Sequence, residues 1–152
     1  MGFNKKKMAF LFLLAIFFII LDRFLKILAL EFYVTEEISL IGDILKFNLT
    51  KNSNIAFSLP FSGIFLIIVT GLIIIALIYF WLILYKKREY RFLPYLTIII
   101  FGAISNLLDR IKYGYVIDYL NMKYFTVFNI ADMMIAGGGL ALIIYHYHNK
   151  YE

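Results

Sequence analysis

Three aspartates, Asp109, Asp118 and Asp132, stand at the edges of long apolar stretches, in the segments NLLDR, YVIDYL and FNIAD. A carboxylate beside hydrocarbon is costly unless it is paired, hydrated or protonated, so an acid in that position is a functional-site residue by default. Asn106, Arg110 and Asn129 flank these acids, which suggests a polar site built at a membrane face. Two carboxylates held close cannot both ionise cheaply; they share a proton and titrate as a pair. One can then activate water while the other gives a proton to a carbonyl or a leaving amine. Asp118, on a loop, and Asp132, in the first turn of an apolar helix, are the candidates for such a pair. The plainer alternative is that each acid caps a helix or pairs with Arg110, Lys112 or Lys123.

Other chemistries are poorly served. Serine hydrolysis needs a base beside the nucleophile, and the chain's histidines, His146 and His148, lie at the far end of the last apolar segment. There is no HExxH pair for zinc proteolysis and no glycine-rich phosphate loop. Gly137, Gly138 and Gly139 fall inside an apolar run, where small residues allow helices to approach closely. With no cysteine, thiolate chemistry and disulfides are excluded.

The elements that must position these acids are membrane spans. The chain is 63% hydrophobic with a mean hydropathy of +0.86, well beyond the composition of a soluble domain. Spans are expected over about 8–30, 61–85, 92–108 and 128–147, with outer segments at about 31–60 and 109–127. All belong to a single domain covering 1–152. Each span must be helical, because lipid offers no partner to an unpaired backbone group. Lys5, Lys6 and Lys7 before an apolar run resemble a signal peptide, but no small-residue cleavage site follows, so the first span is expected to be retained. The basic loop KKREYR over 86–91 and the amino-terminal lysines then fall on one side. Basic residues concentrated in short segments mark the cytoplasmic face, which puts both termini inside and the acids at the extracytoplasmic face. The net charge of +5 is assigned to these anchors and not to nucleic acid.

The outer segments have the composition of small β structure. Phe32-Tyr33-Val34, the stretch 44–49, and the stretches 115–120 and 124–128 read as short strands. Gly42-Asp43, Lys51-Asn52-Ser53-Asn54 and Asn121-Met122-Lys123 read as turns. Two half-apolar pieces of this kind can pair and lie on the interface. Tyr113, Tyr115, Tyr119 and Tyr124 suit that depth, where an amphipathic ring is stable.

On these residues alone, a peptidase, a small transporter and a non-catalytic scaffold rank nearly equal. The motifs, however, resemble those of the bacterial lipoprotein signal peptidases, also called signal peptidase II. Asp22-x-x-x-Lys26 is similar to that family's first motif, and Asn52-Ser53-Asn54-Ile55-Ala56-Phe57-Ser58 to its second. Gly102-x-x-x-Asn106-x-x-Asp109-Arg110, followed by Gly114-Tyr115-Val116-Ile117-Asp118, is similar to the third, and Phe128-Asn129-Ile130-Ala131-Asp132 to the fourth. The second motif departs from the family pattern, with Asn54-Ile55 where Gly-Ala is usual; asparagine tolerates left-handed backbone, and the larger Ile55 is expected to narrow a nearby pocket.

The resemblance implies an all-α membrane protein of four transmembrane helices with a small β-rich outer cradle. It implies a catalytic dyad of Asp118 and Asp132, a substrate site lined by Asn52, Asn106, Arg110 and Asn129, and support from Asp22, Lys26, Gly102 and Asp109. The implied substrate is a lipidated prolipoprotein, cut before its diacylglyceryl-modified cysteine within the cytoplasmic membrane. Membrane lipid is the other partner; no metal or organic cofactor is implied, and the expected state is a monomer. A transporter would instead spread ionisable groups through the membrane depth, yet the spans 61–85 and 92–108 contain none.

Overall fold

The computed structural model describes residues 5–31, 37–53 and 63–148. The element order is α1 (Lys5–Glu31), β1 (Ile38–Ile41), β2 (Leu45–Asn52), α2 (Ile64–Lys86), a short 3-10 turn (Tyr90–Phe92), α3 (Leu93–Tyr113), β3 (Val116–Met122), β4 (Val127–Phe128) and α4 (Ile130–His148). Among the described residues four helical segments are long and apolar enough to cross a membrane. At about 1.5 Å per residue, even the shortest approaches the ~30 Å of a hydrocarbon core. Their outward side chains, among them Phe10, Leu13 and Phe17 on α1 and Leu72 and Ile75 on α2, are exposed. In water such a surface would aggregate; here it is the face offered to lipid. The protein is a multi-pass membrane protein.

Helix α3 is the centre of the bundle and packs on α1, α2 and α4. Half of its apolar stretch is buried within the protein, against 11% for α1 and for α2. Its sequence shows why: LPYLTIIIFGAISNLLDRIKY carries the small and polar residues Thr97, Gly102, Ala103, Ser105, Asn106 and Asp109, all buried. Small side chains let helices approach and polar ones bond across the contact, which is the main source of helix cohesion in lipid. Trp81 of α2 donates through Nε1 to Thr97 Oγ1 at 3.1 Å, and Thr97 donates to the Leu93 carbonyl at 2.8 Å. Pro94 sits in the first turn of α3, where its missing N–H costs nothing.

The third helix runs further than the apolar run suggested. It continues through Asp109 and Arg110 to Tyr113 and ends at Gly114, a left-handed residue (φ 80°) whose N–H bonds the Arg110 carbonyl at 3.0 Å. The hydrophobic pattern stops at Leu108, but Asp109 is fully buried against cations of α1, so tertiary pairing extends the helix by another turn. Helix α1 is already helical at Lys5, the first described residue, and α4 begins at Ile130, two residues after the expected start, because Val127 and Phe128 form β4.

The four strands form one antiparallel sheet in the order β1-β2-β3-β4. The outer segments on either side of α2 and α3 therefore do pair, β2 against β3, with Thr50 opposite Asp118 and Asn52 opposite Val116. Lys51 and Asn52 close strand β2 instead of forming a turn, and Asn121 and Met122 belong to β3. The Phe32-Tyr33-Val34 strand, Asn54 of the expected turn and the Asn54-Ile55 substitution lie outside the described residues. Of the tyrosines assigned to the interface, Tyr124 is 83% exposed, but Tyr119 is fully buried. A phenol can go to the interior when its hydroxyl finds partners there.

Helix α4 closes on α3 through two glycines. A Cβ at Gly102 would lie 2.6 Å from the Ala131 carbonyl oxygen, and one at Gly138 would lie 2.8 Å from Ile99 Cγ1. Gly137 and Gly139 face open space, so only the middle glycine of that run serves packing. Gly102→Ala should push the first turn of α4 off α3 and destabilise the protein by about 1–3 kcal/mol. Gly137→Ala should leave thermal unfolding in detergent unchanged or slightly raised, since alanine is the better helix former.

Candidate active site

The site is assembled at the amino-terminal end of α4, where helix geometry leaves four N–H groups without intrahelical partners. Asn129 is the N-cap: its Oδ1 accepts from the Asp132 N–H at 2.8 Å, and the Asp132 Oδ2 reaches back to the Asn129 N–H at 3.3 Å. This reciprocal pair is a capping box with aspartate in place of glutamate. The two preceding amides leave the helix altogether. Ile130 N–H donates to the Tyr119 hydroxyl at 3.1 Å, and Ala131 N–H donates to Asp22 Oδ1 at 3.1 Å. Three successive amides are thus held by strand β3, by α1 and by the helix's own cap, and Asp132 is fixed in its first turn.

Asp118 lies on β3, almost wholly buried. Its Oδ1 accepts from Asn129 Nδ2 at 2.6 Å and its Oδ2 from Asn52 Nδ2 at 2.9 Å. Asn129 is therefore bonded to both carboxylates, to one through its side-chain amide and to the other through its backbone N–H. Asp132 Oδ1 takes a further bond from Asn106 Nδ2 at 2.8 Å. Burial drives the Asp118 carboxyl up to about 6, and the neighbouring Asp132 adds to the rise. The amide bonds from Asn52 and Asn129, and the Lys26 charge, oppose it without cancelling it. Two carboxyl groups that feel each other's charge, one of them poised near neutrality, are equipped for acid and base work together.

Beneath them sits a buried knot of charge. Lys26 Nζ lies 2.7 Å from Asp109 Oδ2 and 3.0 Å from Asp22 Oδ2, and all three side chains are inaccessible to solvent. Arg23 Nη1 contacts the other Asp109 oxygen at 2.5 Å and the Ser105 carbonyl at 3.2 Å. Ser105 Oγ donates to Asp22 Oδ2 at 2.6 Å, and the Tyr119 hydroxyl donates to Asp22 Oδ1 at 2.9 Å. Lys26 also donates to Asn106 Oδ1 at 2.8 Å. An ammonium can only donate, so it turns the Asn106 carbonyl toward itself and the NH2 toward Asp132. Arg110, half-buried, lies within electrostatic reach of Asp109, Asp118 and Asp132.

All ten residues singled out from the sequence fall in this region, Gly102 among them as the close approach that seats α4. Sequence reasoning missed Arg23, Ser105 and Tyr119. Tyr119 was placed at the interface from its ring chemistry, and its burial gave no local sign. Arg23 sits one position after Asp22, and a helical position facing Asp109 was its only signal.

Ser105 Oγ and Lys26 Nζ, 3.5 Å apart, have the composition of a serine–lysine dyad. The ammonium is locked between two carboxylates and the serine has no exposure, so neither can meet a substrate. Among the described residues no three acidic, histidine or cysteine side chains are grouped to hold a metal ion.

The family model for signal peptidase II matches residues 14–148. The chain belongs to the signal peptidase II family. It is 39% identical over 142 residues to the lipoprotein signal peptidase of Clostridium novyi, a match covering 88% of this chain and 94% of that protein. To the lipoprotein signal peptidase of Halothermothrix orenii it is 35% identical over 137 residues, covering 88% and 92%. In structure it is similar to a bacterial membrane enzyme solved by the in meso method, with a TM-score of 0.77, 27% identity and coverage of 95% of this chain and 90% of that one. A second bacterial membrane enzyme solved in the same way matches with a TM-score of 0.72 at 27% identity.

Within this peptidase family member the ionic knot and the poised carboxyl make separate predictions. Lys26→Met leaves Asp22 and Asp109 buried without their shared cation and should cost about 3–5 kcal/mol. Combining it with Asp109→Asn should recover part of that loss in a double-mutant cycle read by thermal unfolding in detergent. For Asp118, the neutral form is favoured, so its carboxyl C=O stretch in the infrared should grow as pH falls through about 6. That band should be absent in Asp118→Asn. Asn52→Ala removes a donor that favours the ionised form, so it should move the midpoint to higher pH.

Proposed function

We propose that the protein removes signal peptides from lipoproteins, hydrolysing the peptide bond before a diacylglyceryl-modified cysteine as an aspartic endopeptidase with Asp118 and Asp132 as its catalytic pair. The observation that carries this reading is the bonding of both carboxyl groups to Asn129 at the mouth of the helix bundle. In the active form the pair holds one proton. The ionised carboxylate takes a proton from water as the water oxygen attacks the scissile carbonyl carbon. The protonated partner gives its proton to the carbonyl oxygen, forming a neutral gem-diol. The diol then loses a proton back to one aspartate as the C–N bond breaks, and the other aspartate protonates the departing cysteine amine. The pair finishes with one proton, as it began.

The surroundings support that cycle. Asn52, Asn106 and Asn129 are donors toward the carboxylate oxygens, so a charged state of the pair is accommodated by amide hydrogen bonds. Arg110 is in electrostatic reach of the pair and is the group that would hold a substrate carbonyl or the developing negative charge. A lipid-bearing substrate arrives sideways from the bilayer. Leu108 and Ile111 on α3 and Met133 beside Asp132 are exposed apolar residues around the mouth and suit such an approach. The concentration of basic residues in the amino-terminal segment and the 86–91 loop supports termini in the cytoplasm and a site toward the extracytoplasmic face of the cytoplasmic membrane.

Purified protein in detergent should cleave a diacylglyceryl-modified prolipoprotein before the modified cysteine, as read by mass spectrometry of the products. Asp118→Asn and Asp132→Asn, each shown to be folded, should lose about 10⁴-fold or more in rate, because acid and base act as one unit. The wild-type rate should fall both where the two carboxyls are protonated and where both are ionised. Unaltered cleavage by both variants would remove the aspartates from the mechanism; inactivity of folded wild type on several such substrates would remove the function.

A further inference from the structure

Tyr119 follows Asp118 on β3, and strand geometry sends successive side chains to opposite faces. Asp118 turns to Asn52 and Asn129, while Tyr119 turns into the interior with Ala29 and Ile117, its ring 5.6 Å from that of Phe47. The partner strand is bulged at this point. Phe47 pairs with Leu120 and Thr50 with Asp118, so Asn48 and Leu49 face the single residue Tyr119. Bulges of this kind re-aim side chains beside functional sites.

The hydroxyl is used in both directions, donating to Asp22 Oδ1 at 2.9 Å and accepting from Ile130 N–H at 3.1 Å. Burial, reinforced by the Asp22 carboxylate, holds the phenol far above its ordinary range, so it remains a neutral donor. The covalent path from Asp118 to Asp132 is a poor ruler by comparison. It passes through a turn carrying the exposed Tyr124 and Phe125 and a strand, β4, of only two residues.

We propose that Tyr119 is a positioning residue, whose hydroxyl sets the separation and relative orientation of the Asp118 and Asp132 carboxyl groups by tying β3 to the first turn of α4 and to α1. It touches neither substrate nor the reacting atoms. Its ring is a rigid strut with Asp118 one residue before its root and Asp132 two residues beyond the amide at its tip. The kinetic consequence rests on the peptidase reading above; the structural consequence does not.

The experiment compares full-length Tyr119→Phe with wild type and with Tyr113→Phe as a control, all shown to be folded by thermal unfolding. Two readouts are taken: the infrared titration of the carboxyl pair, and steady-state cleavage of a diacylglyceryl-modified prolipoprotein. Loss of the hydroxyl should move a titration midpoint by about 0.5 pH unit or more, since the interaction between the carboxyls changes with their spacing. It should lower kcat about 10- to 100-fold with KM within about twofold, as misplacement of reacting groups does. Tyr113→Phe should change neither.

Unshifted midpoints with an unchanged kcat in folded Tyr119→Phe would overturn the proposal, as would a kcat loss matched by the loss of folded protein. If wild type does not cleave, the peptidase reading fails and the titration alone decides the role of Tyr119. Should Tyr119→Phe not fold, para-aminophenylalanine at position 119 fills the same space and still donates to Asp22, but accepts poorly from Ile130 N–H. The same shifts are expected of it, and their absence overturns the proposal equally.

Discussion

The constraint on which the rest of the structure depends is the burial of the Lys26 ammonium between Asp22 and Asp109, with no solvent at any of the three side chains. An isolated charge in that environment is prohibitively costly, and a pair repays its desolvation only with good geometry and further hydrogen bonds. Here those bonds come from several elements: Ser105 of α3, Tyr119 of β3 and the Ala131 amide of α4 on Asp22, and Arg23 of α1 and the Ile117 amide on Asp109. Satisfying one ammonium and two carboxylates therefore specifies how α1, α3, α4 and the sheet meet.

From that knot the geometry passes to the two candidate catalytic acids through amides. Lys26 orients Asn106, and Asn106 bonds Asp132; Asp22 and Tyr119 seat the first amides of α4, and Asn129 caps it while bonding Asp118. Asparagine suits this task because its carbonyl and NH2 ends are chemically distinct. Fixing one end with a cation or a helix N–H aims the other at a carboxylate. The carboxyls are thereby held by neutral donors, not by a direct ion pair. A salt bridge to either would favour its ionised form and oppose sharing of a proton.

The spans and the small sheet were legible because their signals are local. Apolar length reports a membrane helix, and half-apolar stretches outside the membrane report strands. Asn106, Asn129, Asp109, Asp118 and Asp132 could be picked out because they are polar in apolar surroundings, whereas Gly102 was marked only by its place in the family motif. What was not legible depended on partners far along the chain. The last turn of α3 is apolar-poor and reads as loop until Asp109 meets Lys26. Tyr119 reads as an interfacial aromatic until its hydroxyl is seen on Asp22, and Ser105 reads as an ordinary small residue of a helix contact.

By itself the sequence determined the class of the protein, an α-helical membrane protein with aspartates at the edges of its apolar segments. Hydrocarbon admits only helices or closed barrels and expels unpaired charge, so composition and spacing along the chain suffice for that much. Only the tertiary structure decided what holds each acid. Asp22 and Asp109 are bound to the buried Lys26 ammonium, while Asp118 and Asp132 accept from amide donors. All four are aspartates near the ends of apolar segments; the motifs mark out Asp118 and Asp132, but spacing along the chain does not say what each carboxylate bonds. Asp22 meets Lys26 one turn along its own helix, but that the same ammonium also reaches Asp109, and that amides and not cations bond Asp118 and Asp132 among the described residues, are properties of packing.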